Sequence, residues 1–143
     1  MKTFKVLALT ALMAIVIVGC SKVEKILPKK DGTWKTTSSV SRVYVNSALD
    51  TTITQTTGFD ETVTFEKDGI GSITDPDTTI AFTWTVNDNQ DEVTMCFDFG
   101  GISLCQTSTV LESEKDKQVW MTSDKASGDV DWTETDATME RVK

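Results

Sequence analysis

Between residues 80 and 99 the side chains alternate apolar and polar with a period of two. In "IAFTWTV", Ile80, Phe82, Trp84 and Val86 share one face, with Ala81, Thr83 and Thr85 on the other. In "VTMCFDF", Val93, Met95, Phe97 and Phe99 oppose Thr94, Cys96 and Asp98. Successive side chains of a strand point to opposite faces, so this pattern demands a sheet with one apolar side. Beyond Pro28 no long helical periodicity occurs, and Thr, Val and Ile abound. Strands are expected over 33–45, 51–57, 61–65, 70–73, 80–86, 92–99, 102–109, 118–122 and 130–142. Turn chemistry separates them at Lys67-Asp68-Gly69, Asp75-Pro76-Asp77, 87–91 and Gly100-Gly101. Sequential strands on short turns predict an all-β fold, a single antiparallel up-and-down β-barrel of about eight strands. Closure would leave no exposed edge. A β-sandwich is the alternative, because alternation alone does not dictate how a sheet closes.

The Gly100-Gly101 turn sets a register. A two-residue turn there pairs Phe99 with Ile102, Asp98 with Ser103, Phe97 with Leu104 and Cys96 with Cys105. The last of these is a non-hydrogen-bonded pair, in which side chains approach most closely. Cys96 and Cys105 are therefore expected to form a cross-strand disulfide on the face away from the aromatic residues.

The one long apolar run, Leu7 to Gly19, covers 13 residues, about 20 Å as a helix, which is too short for a bilayer core. Lys2 and Lys5 precede it and a small residue ends it, as in a secretory leader. Its close, Ile17-Val18-Gly19-Cys20, resembles the bacterial lipoprotein lipobox. That resemblance implies a signal peptide over 1–19, cleavage after Gly19, and acylation (palmitate and related chains) at Cys20. The partner so implied is a membrane held through N-terminal acyl chains, since two chains anchor stably where one does not. Ser21, rather than Asp, follows the cysteine, which by the same resemblance points to the outer membrane. Residues 20–31 are expected to be the lipidated N-terminus and tether, basic through Lys22, Lys25, Lys29 and Lys30, and attracted to anionic head groups. Within it, Val23, Ile26 and Leu27 have the spacing of a single helical turn. An exported chain sits where a disulfide persists.

Composition excludes several classes. Without the leader 124 residues remain, one domain in size, and loss of Lys2 and Lys5 takes the formal charge from −8 to about −10. So acidic a body argues against nucleic acid as a partner. Histidine is absent, which removes the commonest general base and metal ligand. There is no G-x-S-x-G elbow, no phosphate loop and no pair of carboxylates set in contrasting environments, so no enzymatic role is expected. The acidic stretches 75–77, 87–92 and 128–136 lack EF-hand order. Asp88 and Asp91 are their nearest approach to a calcium site, yet the first two stretches serve equally as solvated turns. No cofactor or metal is expected.

"DGTWK" (Asp31 to Lys35) is similar to the Gly-x-Trp signature that opens the first strand of lipocalins and other calycins. "FEKDGIGS", followed by "FTWTVNDNQDEVTM", resembles hairpins of lipocalin-like lipoproteins common in Bacteroidetes, and "ATMERVK" resembles the last strand. The longer second and third lipocalin motifs are not recognisable. The resemblance covers residues 32–143, the expected barrel domain. It implies that Arg141 crosses the face of Trp34 in a structural cation–π contact. It also implies a small hydrophobic or amphipathic ligand, for which Trp34, Phe65, Phe82, Trp84, Met95, Phe97, Phe99 and Leu104 are the expected cavity lining. The same residues could instead fill the interior outright. A non-catalytic interaction or structural module on the envelope surface is the alternative role.

Overall fold

The computed structural model describes residues 22–143; the leader over 1–19 and the acylation site Cys20 lie outside the described residues. A short helix α1 (Val23–Ile26) and a 3-10 turn (Lys30–Gly32) precede nine strands. These are β1 (Thr33–Val45), β2 (Ala48–Gln55), β3 (Thr62–Phe65), β4 (Ile70–Thr74) and β5 (Thr79–Val86), then β6 (Glu92–Phe99), β7 (Ile102–Ser113), β8 (Lys117–Ser123) and β9 (Trp132–Arg141). All pairings are antiparallel, and β9 returns to β1 along most of its length, from Trp34↔Arg141 to Tyr44↔Trp132. The sheet is therefore a closed barrel.

Nine segments fill eight positions because β2 and β3 share one. β3 pairs with Thr33–Lys35 at the start of β1, whereas β2 pairs with Ser39–Val45 near its end. Residues 56–61 interrupt this composite wall. β4 continues the sheet from β3 alone, so β2 is bonded to β1 on one side and to no strand on the other among the described residues. Asn46 and Ser47, at φ 51° and 62°, make the tight turn between β1 and β2. Both central residues there are left-handed, as the twist of a two-residue hairpin requires.

Three register shifts tune the faces. The one between Thr36 and Ser38 adds a residue to β1 opposite β9, so Trp34 and Thr36 face inward before it, and Ser39, Ser41 and Val43 after it. At β6–β7 the ladder runs Cys96↔Cys105, Phe97↔Leu104, Asp98↔Ser103 and Phe99↔Ile102, as the glycine turn predicts. Cys96 and Cys105 are disulfide-bonded, S–S 2.06 Å, on the outer face.

The closed end is stoppered by residues 23–32. The helical turn expected of Val23, Ile26 and Leu27 is present as α1, and these three side chains are at most 3% exposed and join the core. Burial of three aliphatic side chains, at roughly 1.5–3 kcal/mol each, outweighs the solvation of a short lysine-rich segment. The chain then reverses through Lys30, Asp31 and Gly32, all at positive φ (50°, 69° and 64°). Gly32 is obligatory, since a Cβ there would lie 1.9 Å from the Phe65 carbonyl oxygen. A Cβ on Gly71 would likewise lie 2.4 Å from the Phe82 ring and 2.6 Å from the Thr64 carbonyl oxygen.

Two outcomes follow from this architecture. Replacing both Cys96 and Cys105 by serine should leave the barrel folded, because the bond lies outside the core, while lowering unfolding free energy by about 2.5 kcal/mol in urea titrations. Gly71→Ala should cost more than the cysteine pair, since it drives a methyl into an aromatic ring and a backbone carbonyl at once. Thermal melts of the two variants would rank them.

Candidate ligand-binding site at the open end of the barrel

The interior divides into a filled half and an open half. In the filled half the Phe65 ring is central, with centroids of Phe82, Trp84 and Trp120 at 5.5, 5.4 and 5.7 Å in edge-on geometry. Trp34, Val93 and Met139 complete the layer, and α1 covers it. The indole N–H groups of Trp34, Trp84 and Trp120 each find an acceptor. Trp34 Nε1 donates to the Leu27 carbonyl at 3.0 Å, and Trp84 Nε1 to those of Ile70 and Glu66 at 3.0 and 3.2 Å. Trp120 Nε1 donates to Gln118 Oε1 at 3.3 Å, and Gln118 Nε2 to the Glu114 carbonyl at 3.0 Å.

Arg141 fastens this floor. Its guanidinium lies 4.2 Å from the Trp34 ring centroid. It donates to the carbonyls of Lys29, of Ile26 (2.9 Å) and of Lys115 (3.0 Å), and faces Asp116 at 3.3 Å. One nearly buried cation thus joins carbonyls at and just beyond the end of α1 to one in the β7–β8 turn, and stacks on the tryptophan that opens β1. On the far side, Glu24 N donates to Gln90 Oε1 at 3.2 Å, tying α1 to the turn after β5. Within that turn the Asn87 amide reaches the carboxylates of Asp91 (2.6 Å) and Glu92 (3.1 Å). Asp91 is thereby engaged in turn geometry.

Toward the mouth the lining changes character. Inward positions on β1, β7, β8 and β9 are mostly hydroxyl or amide. Ser41 and Thr135 hydrogen-bond at 2.9 Å, and Ser108 and Thr122 at 2.8 Å. Gln106, Thr122, Asp124, Thr133, Thr135 and Ala137 bound a cavity of about 310 Å³ there. The opposite wall is apolar. Ile80 lies two residues before buried Phe82, and Phe99 two after half-buried Phe97, so both share the inner face. Leu104 and Ile102 are their cross-strand neighbours on β7, and Ile53 of β2 faces Ser41. These side chains remain exposed: Ile53 57%, Phe99 51%, Ile102 65% and Leu104 57%. A second hollow, about 330 Å³ around Cys96, Asp98 and Ser103, is a surface groove on the outer face.

Outside the barrel, the β1–β9 seam carries a charged and aromatic strip. Arg42 clasps Asp136 through two bonds of 2.7 and 2.8 Å and approaches Glu134 at 3.6 Å. The hydrogen bonds to Asp136 hold the guanidinium charged and push its pKa further above its ordinary value. Tyr44 stacks on Trp132 at 4.4 Å, and Lys125 sits 3.6 Å from that ring's centroid.

The eight residues expected to line one cavity therefore occupy three levels. Trp34, Phe65, Phe82 and Trp84 fill the interior rather than bound a cavity in it, because they pack in one buried cluster with Val23, Ile26 and Leu27 of the N-terminal plug. Met95 and Phe97 are half-buried above that layer. Phe99 and Leu104 stand exposed at the mouth, because the β5–β6 ladder stops at Thr83↔Cys96 and the β6–β7 hairpin runs on beyond it. Sequence reasoning missed Trp120, the buried residues of α1 and the whole hydroxyl wall. Trp120 carried a signal, the alternation Gln118, Trp120, Thr122, but a weak one. Among the described residues, no cluster of His, Cys, Asp or Glu could hold a metal ion, and no helix is long and apolar enough to cross a membrane.

An eight-position antiparallel barrel with a stoppered end and Trp34 at the head of its first strand is a lipocalin-like fold. Insecticyanin from the tobacco hornworm Manduca sexta is similar to it, with a TM-score of 0.52 and 9% sequence identity. The alignment covers 76% of this chain and 59% of insecticyanin, so the chain spans less than two thirds of that protein's length. No protein-family model matches the sequence, and no curated protein matches it.

Arg141→Met, which keeps the aliphatic stem and removes every donor, should lower stability by about 3 kcal/mol, because buried carbonyls lose a charged partner. Arg141→Lys should recover part of that loss, since one ammonium cannot reach all three carbonyls. Denaturant midpoints of the two variants provide the check.

Proposed function

We propose that this protein is a lipid-anchored bacterial envelope lipoprotein, of the outer membrane, whose barrel mouth binds a small hydrophobic or amphipathic ligand without catalysing a reaction. What carries the reading is the set of apolar side chains on inner faces that stay in water. Ile53, Ile80, Phe99, Ile102 and Leu104 point into the concavity above a solid floor, and each is exposed. Apolar side chains gathered on a concave surface are the usual mark of a binding site. Facing them, Ser41, Thr122, Thr135 and Gln106 offer donors and acceptors, so the ligand has one apolar and one hydrogen-bonding side. The anchor is supported by Ile17-Val18-Gly19-Cys20 and the lysines that follow it.

A second reading has its own observation. All eight residues of β2 are exposed and one edge of that strand is unpaired among the described residues. An edge of this kind can take an added strand from a protein partner, as an interaction module on the envelope would.

Titration with fluorescent fatty acids, sterols and neutral amphiphiles should reveal saturable binding of at least one. Phe99→Ser should weaken that binding about 10-fold or more, as expected for losing a buried aromatic contact. Absence of binding across the panel, with a cross-linked partner recovered at β2 in cells, would favour the second reading.

A further inference from the structure

We infer that the closed end of the barrel is a docking surface for an anionic lipid bilayer, so that the mouth is directed away from the membrane. The inference rests on acylation at Cys20, proposed above, and adds the orientation. Two residues, Ser21 and Lys22, separate Cys20 from Val23, and Val23 is 3% exposed within the floor. Three Cα–Cα steps span at most about 11 Å. The mouth is much farther off. β1 has 13 residues. At about 3.3 Å per residue and a strand tilt near 40°, such a strand rises roughly 30 Å along a barrel axis. An acylated Cys20 therefore holds the floor against the head groups and keeps the mouth out of reach of them.

Charge is segregated along the same axis. Lys22, Lys25, Lys29 and Lys30 are exposed around the floor, with Lys67 and Lys115 in neighbouring turns. Glu24, Asp31 and Asp116 lie among them, and Glu66, Asp68, Asp88, Asp91, Glu92 and Glu114 in or beside the same turns; with Lys117, Arg141 and Lys143 counted, and Asp116 facing Lys30 at 3.8 Å, this end is close to balanced. The mouth is not. Its turns and strand ends carry Asp75, Asp77, Asp98, Asp124, Asp129 and Asp131, all exposed, and among the described residues Lys125 is their one cation. Anionic head groups attract the lysines beside the anchor and repel the mouth, within a Debye length of the surface. Tether length and charge thus select the same pose.

Amine footprinting tests it. The lipidated protein is bound to vesicles of phosphatidylcholine and phosphatidylglycerol, and each lysine's labelling is compared with that in soluble Cys20→Ser protein. Labelling of Lys25 and Lys29 is expected to fall several-fold while that of Lys125 stays unchanged. Protection of Lys125, or full labelling of Lys25 and Lys29 in protein that sediments with the vesicles, would overturn the orientation. Mass spectrometry of residue 20 reports on the anchor separately. If natural acyl chains are absent, coupling Cys20 to a maleimide phospholipid lets the same footprint decide the orientation by itself.

Discussion

The guanidinium of Arg141 is the point on which this barrel closes. It is the last residue of the last strand, it lies on the ring of the tryptophan in the first strand, and it holds carbonyls from the N-terminal plug and the β7–β8 turn. A buried cation without such partners would be strongly unfavourable. Here each of the three guanidinium nitrogens donates to a carbonyl, so desolvation is offset and four chain segments are held in one geometry. The floor this creates is solid aromatic packing. Because that packing carries the apolar burial, the other half of the barrel is free to stay hollow.

The division of labour between the two halves is visible in residue type. Rings fill the closed half, where Phe65 meets Phe82, Trp84 and Trp120 and each indole N–H reaches an acceptor. Hydroxyls and exposed apolar side chains, Phe99 among them, line the open half. The disulfide stands apart from both, on the outer face, bracing the β6–β7 hairpin where it extends past β5. It stiffens the part of the mouth that carries Phe99, Ile102 and Leu104.

Much of the fold was legible because period-two alternation is a direct image of the pleat. The segments around Phe82 and Phe97 could be read as strands, and the Gly100-Gly101 turn determined a register that the structure reproduces pair for pair. The site was less legible, for reasons of geometry. Alternation says which residues share a face, yet the depth of a residue along the barrel axis depends on where neighbouring strands end. Phe82 and Phe99 look equivalent in sequence and differ from 3% to 51% in exposure. The extra residue near Thr37 reverses parity in β1, so Ser39 and Ser41 turn inward with no local signal. The plug was obscured by its lysines, which frame Val23, Ile26 and Leu27 in a segment that reads as solvated. The Asn46-Ser47 turn went unread because its left-handed residues are not glycines.

The break at residues 56–61 has a mechanical consequence. Every other strand is stitched into the cylinder on both flanks, so detaching it means severing two ladders. Among the described residues β2 is stitched on one flank alone, and its side chains bury little. It is the stave that can come away while the rest of the cask stays hooped, which makes this side of the wall, rather than the rim, the first to yield under thermal agitation.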